Sequence, residues 1–358
     1  MDKNYHGLLL NNKIFPKDGL LDLCDSKLDE PGTPNWEMNV FSFIKEWLND
    51  KNYIVQQSSG STGKPKEIKL FKESMVGSAK ITCSYFDIRF GQTALLCLPI
   101  EYIAGKMMIV RAFVGGLNLL LTEPSSMPEL SGFGKIDFCA MVPLQVYNSL
   151  NSIETLRRID KLIIGGGEIR DELEVMLRDL PNNVFATYGM AETCSHVAIR
   201  RLSGSTYERF YNAVPGVKFN TDQRNCLVVE TPFLKEKVVT NDVVDLINGQ
   251  SFRWIGRYDN LINSGGIKIV PEEVEAVVSK ITGLDCAVLG IDDPKLGQKL
   301  VLVLERGGSE ITSGEIEALL ITELPKHLQP KKVILLDELP RNHSFKVNRK
   351  ELASQLKD

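Results

Sequence analysis

The stretch SSGSTGKPK at residues 58–66 concentrates hydroxyls, glycines and ammonium groups. Ser58, Ser59, Ser61 and Thr62 offer hydroxyls, Gly60 and Gly63 leave backbone N–H groups accessible, and Lys64 and Lys66 add positive charge. That combination suits a polyphosphate. The alternative is a solvated Ser/Gly linker with a basic end. The spacing is not that of a strand-to-helix phosphate loop, because Gly60 and Gly63 are too close and Pro65 follows Lys64. Tyr53-Ile54-Val55 before the loop is apolar, and Glu67 to Phe71 after it alternates polar and apolar. Both read as strands, so this is a strand–loop–strand clamp that other parts of the chain must complete.

Three further stretches could complete it. In Thr187-Tyr188-Gly189-Met190-Ala191-Glu192-Thr193, an aromatic ring can stack on a purine, and Glu192 can hold the Mg²⁺ that accompanies ATP. A core tyrosine followed by a helix-opening glutamate reads equally well. The third stretch runs from Gly256 and Arg257 through Asp259, Gly265, Gly266 and Lys268 to Glu275. The fourth, Pro340 to Arg349, brackets Lys346 with polar residues, and its plain alternative is a basic surface turn.

The elements that must carry these groups alternate. Helices are predicted at 39–48, 72–85, 103–114, 144–150 and 170–180, and strands at 94–98, 118–121, 138–142, 161–164 and 184–187. Such alternation implies an α/β fold with a mainly parallel sheet covered on both faces. Ligands in such sheets sit beyond the carboxyl ends of the strands, here the turns after 57, 98, 164 and 187. After residue 200, short strands at 226–230, 237–247 and 251–255 indicate an antiparallel β-rich unit. Residues 257–358 read as a small α+β domain, with a helix opened by Pro271 and further strands at 286–291, 299–304 and 332–336.

Composition bounds the function. The 358 residues are 43% hydrophobic and 25% charged, which is ordinary for a globular protein of two or three domains. A net charge of −4 argues against a general nucleic-acid binder. Seven scattered cysteines without CxxC spacing suit a reducing cytoplasmic setting. Asn11 and Asn12 interrupt the apolar start, so no signal-peptide core is read, and no membrane span is expected.

The four stretches together, in this order between residues 58 and 349, resemble the adenylate-forming superfamily of acyl- and aryl-CoA synthetases and their relatives. The resemblance implies a large N-terminal ATP- and acid-binding domain, residues 1–256, and a mobile C-terminal lid, residues 257–358, with Asp259 as hinge. It places Ser61, Thr62 and Lys66 at the ATP phosphates, Gly167 and Glu168 beside adenine, Tyr188 stacked on it, and Glu192 on Mg²⁺. It puts Asp242, within Thr240-Asn241-Asp242, on the ribose hydroxyls with Arg257 near them. Lys346 becomes the lysine that enters for adenylation, and Gly265, Gly266 and Lys268 the face that turns inward for transfer to coenzyme A. The cosubstrates implied are ATP and CoA, with Mg²⁺ as cofactor, and a homo-oligomer is compatible with the sequence. Ala191, Asn241 and Phe345 replace residues usual in these motifs. The segment before the phosphate loop is short, so part of the N-terminal subdomain is expected to be missing or pared down.

The acid pocket is expected after Pro99. Tyr102 stands where many members place a gate, and Lys106 and Arg111 are two cations in an otherwise apolar helix. They either snorkel to the surface or recognise a second carboxylate. Ser195 and His196 could line the same pocket, or His196 could be structural. The segments LPIEYIAGKMMIVRA and YGMAETCSHVA are similar to the o-succinylbenzoate–CoA ligases of menaquinone biosynthesis, which activate one carboxylate of an aromatic dicarboxylic acid. Another aryl- or acyl-CoA ligase, a carrier-protein-loading adenylation enzyme, and a nucleotide-binding module without turnover remain as alternatives.

Overall fold

A computed structural model describes residues 7–58, 66–341 and 347–356. The chain opens with a hairpin, β1 (Gly7–Leu10) and β2 (Lys13–Pro16), then α1 (Lys17–Asp29) and α2 (Asn35–Leu48). A separate hairpin follows, β3 (Tyr53–Ser58) and β4 (Lys66–Phe71), in which Ser58 stands opposite Lys66. The alternating part contains α3 (Lys72–Tyr85), β5 (Thr93–Leu96), α4 (Ile103–Gly115), β6 (Asn118–Leu121), β7 (Ile136–Met141), α5 (Pro143–Ser149), the single turn α6 (Ile153–Leu156), β8 (Ile159–Ile164), α7 (Asp171–Arg178) and β9 (Asn183–Gly189). A meander follows: β10 (His196–Arg201), β11 (Tyr211–Ala213), β12 (Lys218–Thr221), β13 (Cys226–Glu230), β14 (Val238–Asn248) and β15 (Ser251–Arg257).

The parallel strands and the antiparallel β-rich unit read from the sequence are both present, and they are continuous. All these strands except β3 and β4 form one 13-stranded sheet, in the order β12-β13-β14-β15-β11-β10-β9-β8-β7-β5-β6-β1-β2. Strands β9 to β1 in that order are parallel. The change to antiparallel pairing comes at β9–β10, ahead of residue 200. Leu95, Cys139, Met141, Leu162 and Ile164 pack on one face with α5 and α7. Their sequence neighbours Ala94, Leu96, Phe138, Ala140 and Ile163 pack on the other with α2, α3 and α4. The period-two alternation thus buries both faces, which is why these strands read as apolar runs.

The small C-terminal domain has its own cores. It contains β16 (Ile262–Ser264), β17 (Ile267–Ile269), α8 (Pro271–Thr282), β18 (Cys286–Asp293), β19 (Gly297–Glu305), α9 (Ser313–Glu323), β20 (Lys332–Leu336) and α10 (Arg349–Gln355). Its five-stranded sheet packs α8 and α9 on one face and α10 on the other. Pro271 occupies the first turn of α8, with Glu272 and Glu273 beside it, as the helix dipole favours. Among the described residues no helix is long and apolar enough to cross a membrane.

Candidate functional site

Strand ends of the large sheet gather several of the predicted residues. Gly167 and Glu168 follow β8 and are exposed, and Thr187, Tyr188 and Gly189 end the neighbouring β9. The Thr187 hydroxyl donates to the Ile164 carbonyl at 3.1 Å, fixing the two strand ends together. The Tyr188 hydroxyl donates to Asp242 Oδ2 at 2.6 Å. Asp242 lies on β14 and is 5% exposed, yet its Oδ1 accepts from Trp254 Nε1 at 3.3 Å and from Arg257 Nη1 at 3.2 Å. Burial, reinforced by Asp242, pushes the Tyr188 phenol well above its ordinary pKa, so it stays a donor. Burial works against the Arg257 guanidinium, but Asp242 and Asp259 outweigh it and raise its pKa. The Tyr188 ring itself packs edge-on against Phe252, with centroids 5.1 Å apart. Trp254 was not anticipated; its strand, just before Gly256-Arg257, was the available signal.

Gly189 is dictated by the return of the chain. A Cβ there would lie 2.5 Å from the His196 Cα, because β10 doubles back antiparallel on β9. Within the turn, Thr193 Oγ1 accepts from the Met190 N–H at 3.0 Å and donates toward the Met190 and Ser195 carbonyls. Cys194 adopts a φ of 60°, a left-handed conformation that costs a non-glycine residue free energy. Glu192 projects from this turn, exposed, and forms no hydrogen bond or ion pair among the described residues. Among those residues no group of three or more His, Cys, Asp or Glu side chains is arranged to hold a metal ion. One free carboxylate fits a Mg²⁺ ion that takes its remaining ligands from phosphate oxygens and water.

The other side of this turn meets α4. Arg111 Nη2 donates to Ser195 Oγ at 2.5 Å and lies 3.4 Å from His196 Nδ1. His196 Nε2 lies 3.1 Å from the Thr82 hydroxyl on α3, a residue the sequence did not single out. Arg111 is 1% exposed, with no carboxylate partner among the described residues and with its Nε unpaired. Burial pushes its guanidinium down to about 10 and, with Arg111 beside it, holds the His196 imidazole well below its usual value. His196 is therefore neutral. The surface-snorkelling alternative for Arg111 fails on its burial, and it fails for Lys106 as well, which is 9% exposed.

Lys106 has a different environment. Its Nζ donates to Gln56 Oε1 at 2.7 Å and lies 5.8 Å from the Phe43 ring centroid. Gln56 sits on β3, just ahead of the 58–66 stretch, and its amide donates to the Gln57 and Glu101 carbonyls at 2.8 Å. Lys106 therefore ties α4 to the hairpin that carries the loop. Tyr102, half-buried, precedes the first residue of α4.

Ser59, Gly60, Ser61, Thr62, Gly63 and Lys346 lie outside the described residues. Arg349, three residues beyond Lys346, is described: it pairs with both oxygens of Glu275 on α8 at 2.8 and 2.6 Å and donates to the Val288 carbonyl. Gly265 and Gly266 form the β16–β17 turn at φ values of 60° and 83°, and Lys268 beside them is exposed.

Residues 22–222 match the AMP-binding enzyme family, and residues 273–346 match the AMP-binding enzyme C-terminal domain. The chain is 23% identical over 367 residues to the 2-succinylbenzoate–CoA ligase of Lactococcus lactis subsp. lactis, covering 95% of this chain and 79% of that one. Among solved structures it is similar to an acyl-CoA synthetase (AMP-forming)/AMP-acid ligase II-like protein from Dyadobacter fermentans, at 32% identity and a TM-score of 0.60, covering 94% and 98% of the two chains. It is also similar to the o-succinylbenzoate CoA synthetase of Bacillus subtilis in complex with its acyl-adenylate intermediate, at 25% identity and a TM-score of 0.71, covering 85% and 68%. With its large domain and its C-terminal domain both matched, the chain belongs to the AMP-binding enzyme family, the adenylate-forming ligases.

Proposed function

We propose that the chain is an ATP-dependent acid–CoA ligase acting on an aromatic dicarboxylic acid, 2-succinylbenzoate, in menaquinone biosynthesis. The products are 2-succinylbenzoyl-CoA, AMP and pyrophosphate. The observation that carries the choice of acid is Arg111. An unpaired guanidinium costs several kcal/mol to bury, and it persists here beside Ser195 and the neutral His196. A second carboxylate on the substrate supplies the missing counter-charge, directly or through the Ser195 hydroxyl. A monocarboxylic fatty acid does not call for it. The similarity to the ligases of Lactococcus and Bacillus points the same way.

In the first half-reaction a carboxylate oxygen bonds to the α-phosphorus of ATP and the bond to pyrophosphate breaks. Tyr188, Asp242 and Arg257 orient the nucleoside, and the 58–66 loop and Lys346 supply donors and charge to the phosphates. Glu192 would hold Mg²⁺, which neutralises charge on the phosphate oxygens. In the second, the CoA thiolate attacks the acyl carbon and AMP leaves. Residues 257–358 act as a lid that turns about Asp259 and exchanges Lys346 for the Gly265-Gly266-Lys268 face between the steps. A cytoplasmic location accords with the chemistry.

Incubation with ATP, Mg²⁺, CoA and 2-succinylbenzoate tests the proposal, with mass-spectrometric detection of the thioester. A CoA thioester of 2-succinylbenzoate is expected, with AMP formed in equal amount. AMP without any thioester would replace CoA by another thiol acceptor.

A further inference from the structure

Residues 258–261 join β15 of the large sheet to β16 of the small one. Side chains of the large domain hold this link from one side. Arg224 lies between β12 and β13; it donates through Nε to Asp222 at 2.8 Å, through Nη1 to Asn241 Oδ1 at 2.9 Å and through Nη2 to the Thr240 carbonyl at 3.1 Å. The same guanidinium lies 5.0 Å from the Tyr258 ring centroid. Asn241 then donates from Nδ2 to both oxygens of Asp259, at 3.1 and 3.2 Å. From the small domain, the Lys268 ammonium lies 6.0 Å from the centroid of the same Tyr258 ring.

The chemistry leaves Asn241 one arrangement. A guanidinium only donates and a carboxylate only accepts, so the amide must show its oxygen to Arg224 and its nitrogen to Asp259. A glycine at this position would leave Arg224 and Asp259 unconnected. Each contact is weak alone. Together they fix Tyr258 and Asp259, the first two residues of a link that carries a whole domain.

We propose that Arg224 and Asn241 are positioning residues: a clamp on the Tyr258–Asp259 link that sets the orientation of the small domain over the nucleotide site. Resting on the proposed function, the same clamp divides turnover between adenylation and thiol transfer. Asn241→Asp is the sharpest variant, since it sets a second carboxylate against Asp259 at nearly constant size. Asn241→Gly is the mildest.

The test reads orientation directly. Spin labels are placed at Lys218→Cys of the large domain and Lys326→Cys of the small one, both exposed positions, in a Cys286→Ser background. Pulsed electron resonance then gives the interdomain distance distribution without substrates. Asn241→Asp and Arg224→Ala are expected to broaden it or add a second population, with the populations shifted about two- to tenfold, the scale of one lost hydrogen bond. Arg224→Lys, which keeps charge over Tyr258 but loses the fork, should fall between them and the parent. Unchanged distributions in Asn241→Asp and Arg224→Ala, with circular dichroism showing both folded, would overturn the clamp. Should either fail to fold, Asn241→Gly decides by the same reading. In parallel, adenylation and thiol transfer should change by different factors in Asn241→Gly. Equal changes in both would overturn the division of turnover while leaving the distance result to stand or fall separately. Absence of turnover in the parent would sink only the functional reading.

Discussion

The phenol of Tyr188 and the carboxylate of Asp242, 54 residues apart in the chain, meet at 2.6 Å. The contact couples the end of a parallel strand to the long β14 of the meander, and so ties the predicted adenine platform to the predicted ribose anchor. Tyr188→Phe keeps the ring and removes this bond. The KM for ATP is expected to rise about 10–100-fold with little change in kcat, the scale of one hydrogen bond to a charged group. Steady-state kinetics with ATP varied decides it, and a fall in kcat at constant KM would assign the phenol to the reacting centre.

Arg111 sets function against stability. Arg111→Met removes a buried, unpaired charge at similar volume. Stability is expected to stay level or to rise by about 1–4 kcal/mol in urea unfolding. The KM for a dicarboxylic acid is expected to rise about 10–100-fold, as for loss of a charge-assisted hydrogen bond, with the KM for ATP unchanged. Loss of stability without any change for the acid would make Arg111 a structural residue.

His196 gives the protein an acid-sensitive core. Its folded pKa lies well below that of the unfolded chain, because of burial and Arg111. Below about pH 6.5 the unfolded state therefore binds the proton that the folded state refuses, and stability falls as pH falls through that window. Between pH 7 and 5.5 the loss from this group is about 1 kcal/mol. His196→Asn should flatten that part of the stability–pH curve, measured by urea midpoints at the two pH values. A curve parallel to that of the parent would exclude the group.

Gly189→Ala drives a methyl into the backbone of Ser195 and His196. A destabilisation of about 1–3 kcal/mol is expected, as for overpacking at a site that cannot give. Activity should fall further than folding accounts for, because the same turn carries Glu192. Measured unfolding and exchange rates test both parts.

How much of this was legible depends on element length and on what each residue touches. The helix at 72–85 emerges as read, since its length and its start after an alternating strand leave little choice. The β1 strand and α1 were missed. Gly7–Leu10 is too short to show alternation, and α1 buries only Leu20 and Cys24, so its apolar face is faint. The joining of parallel and antiparallel halves was missed because the YGMAET stretch was read as a motif, and the strand beginning at His196 was not read at all. The positions of Tyr188, Asp242 and Arg257 follow from pattern. That Arg111 faces Ser195 while Lys106 faces Gln56 does not. Both are cations on one apolar helix, five residues apart, and only packing against β10 and β3 separates them.

The most direct measurement is ATP–pyrophosphate exchange with a panel of acids. The account predicts exchange with 2-succinylbenzoate well above that with benzoate or fatty acids, and its loss in Lys346→Ala. Exchange with monocarboxylic acids but not with 2-succinylbenzoate would contradict the role given to Arg111, and no exchange with any acid would contradict the enzyme itself.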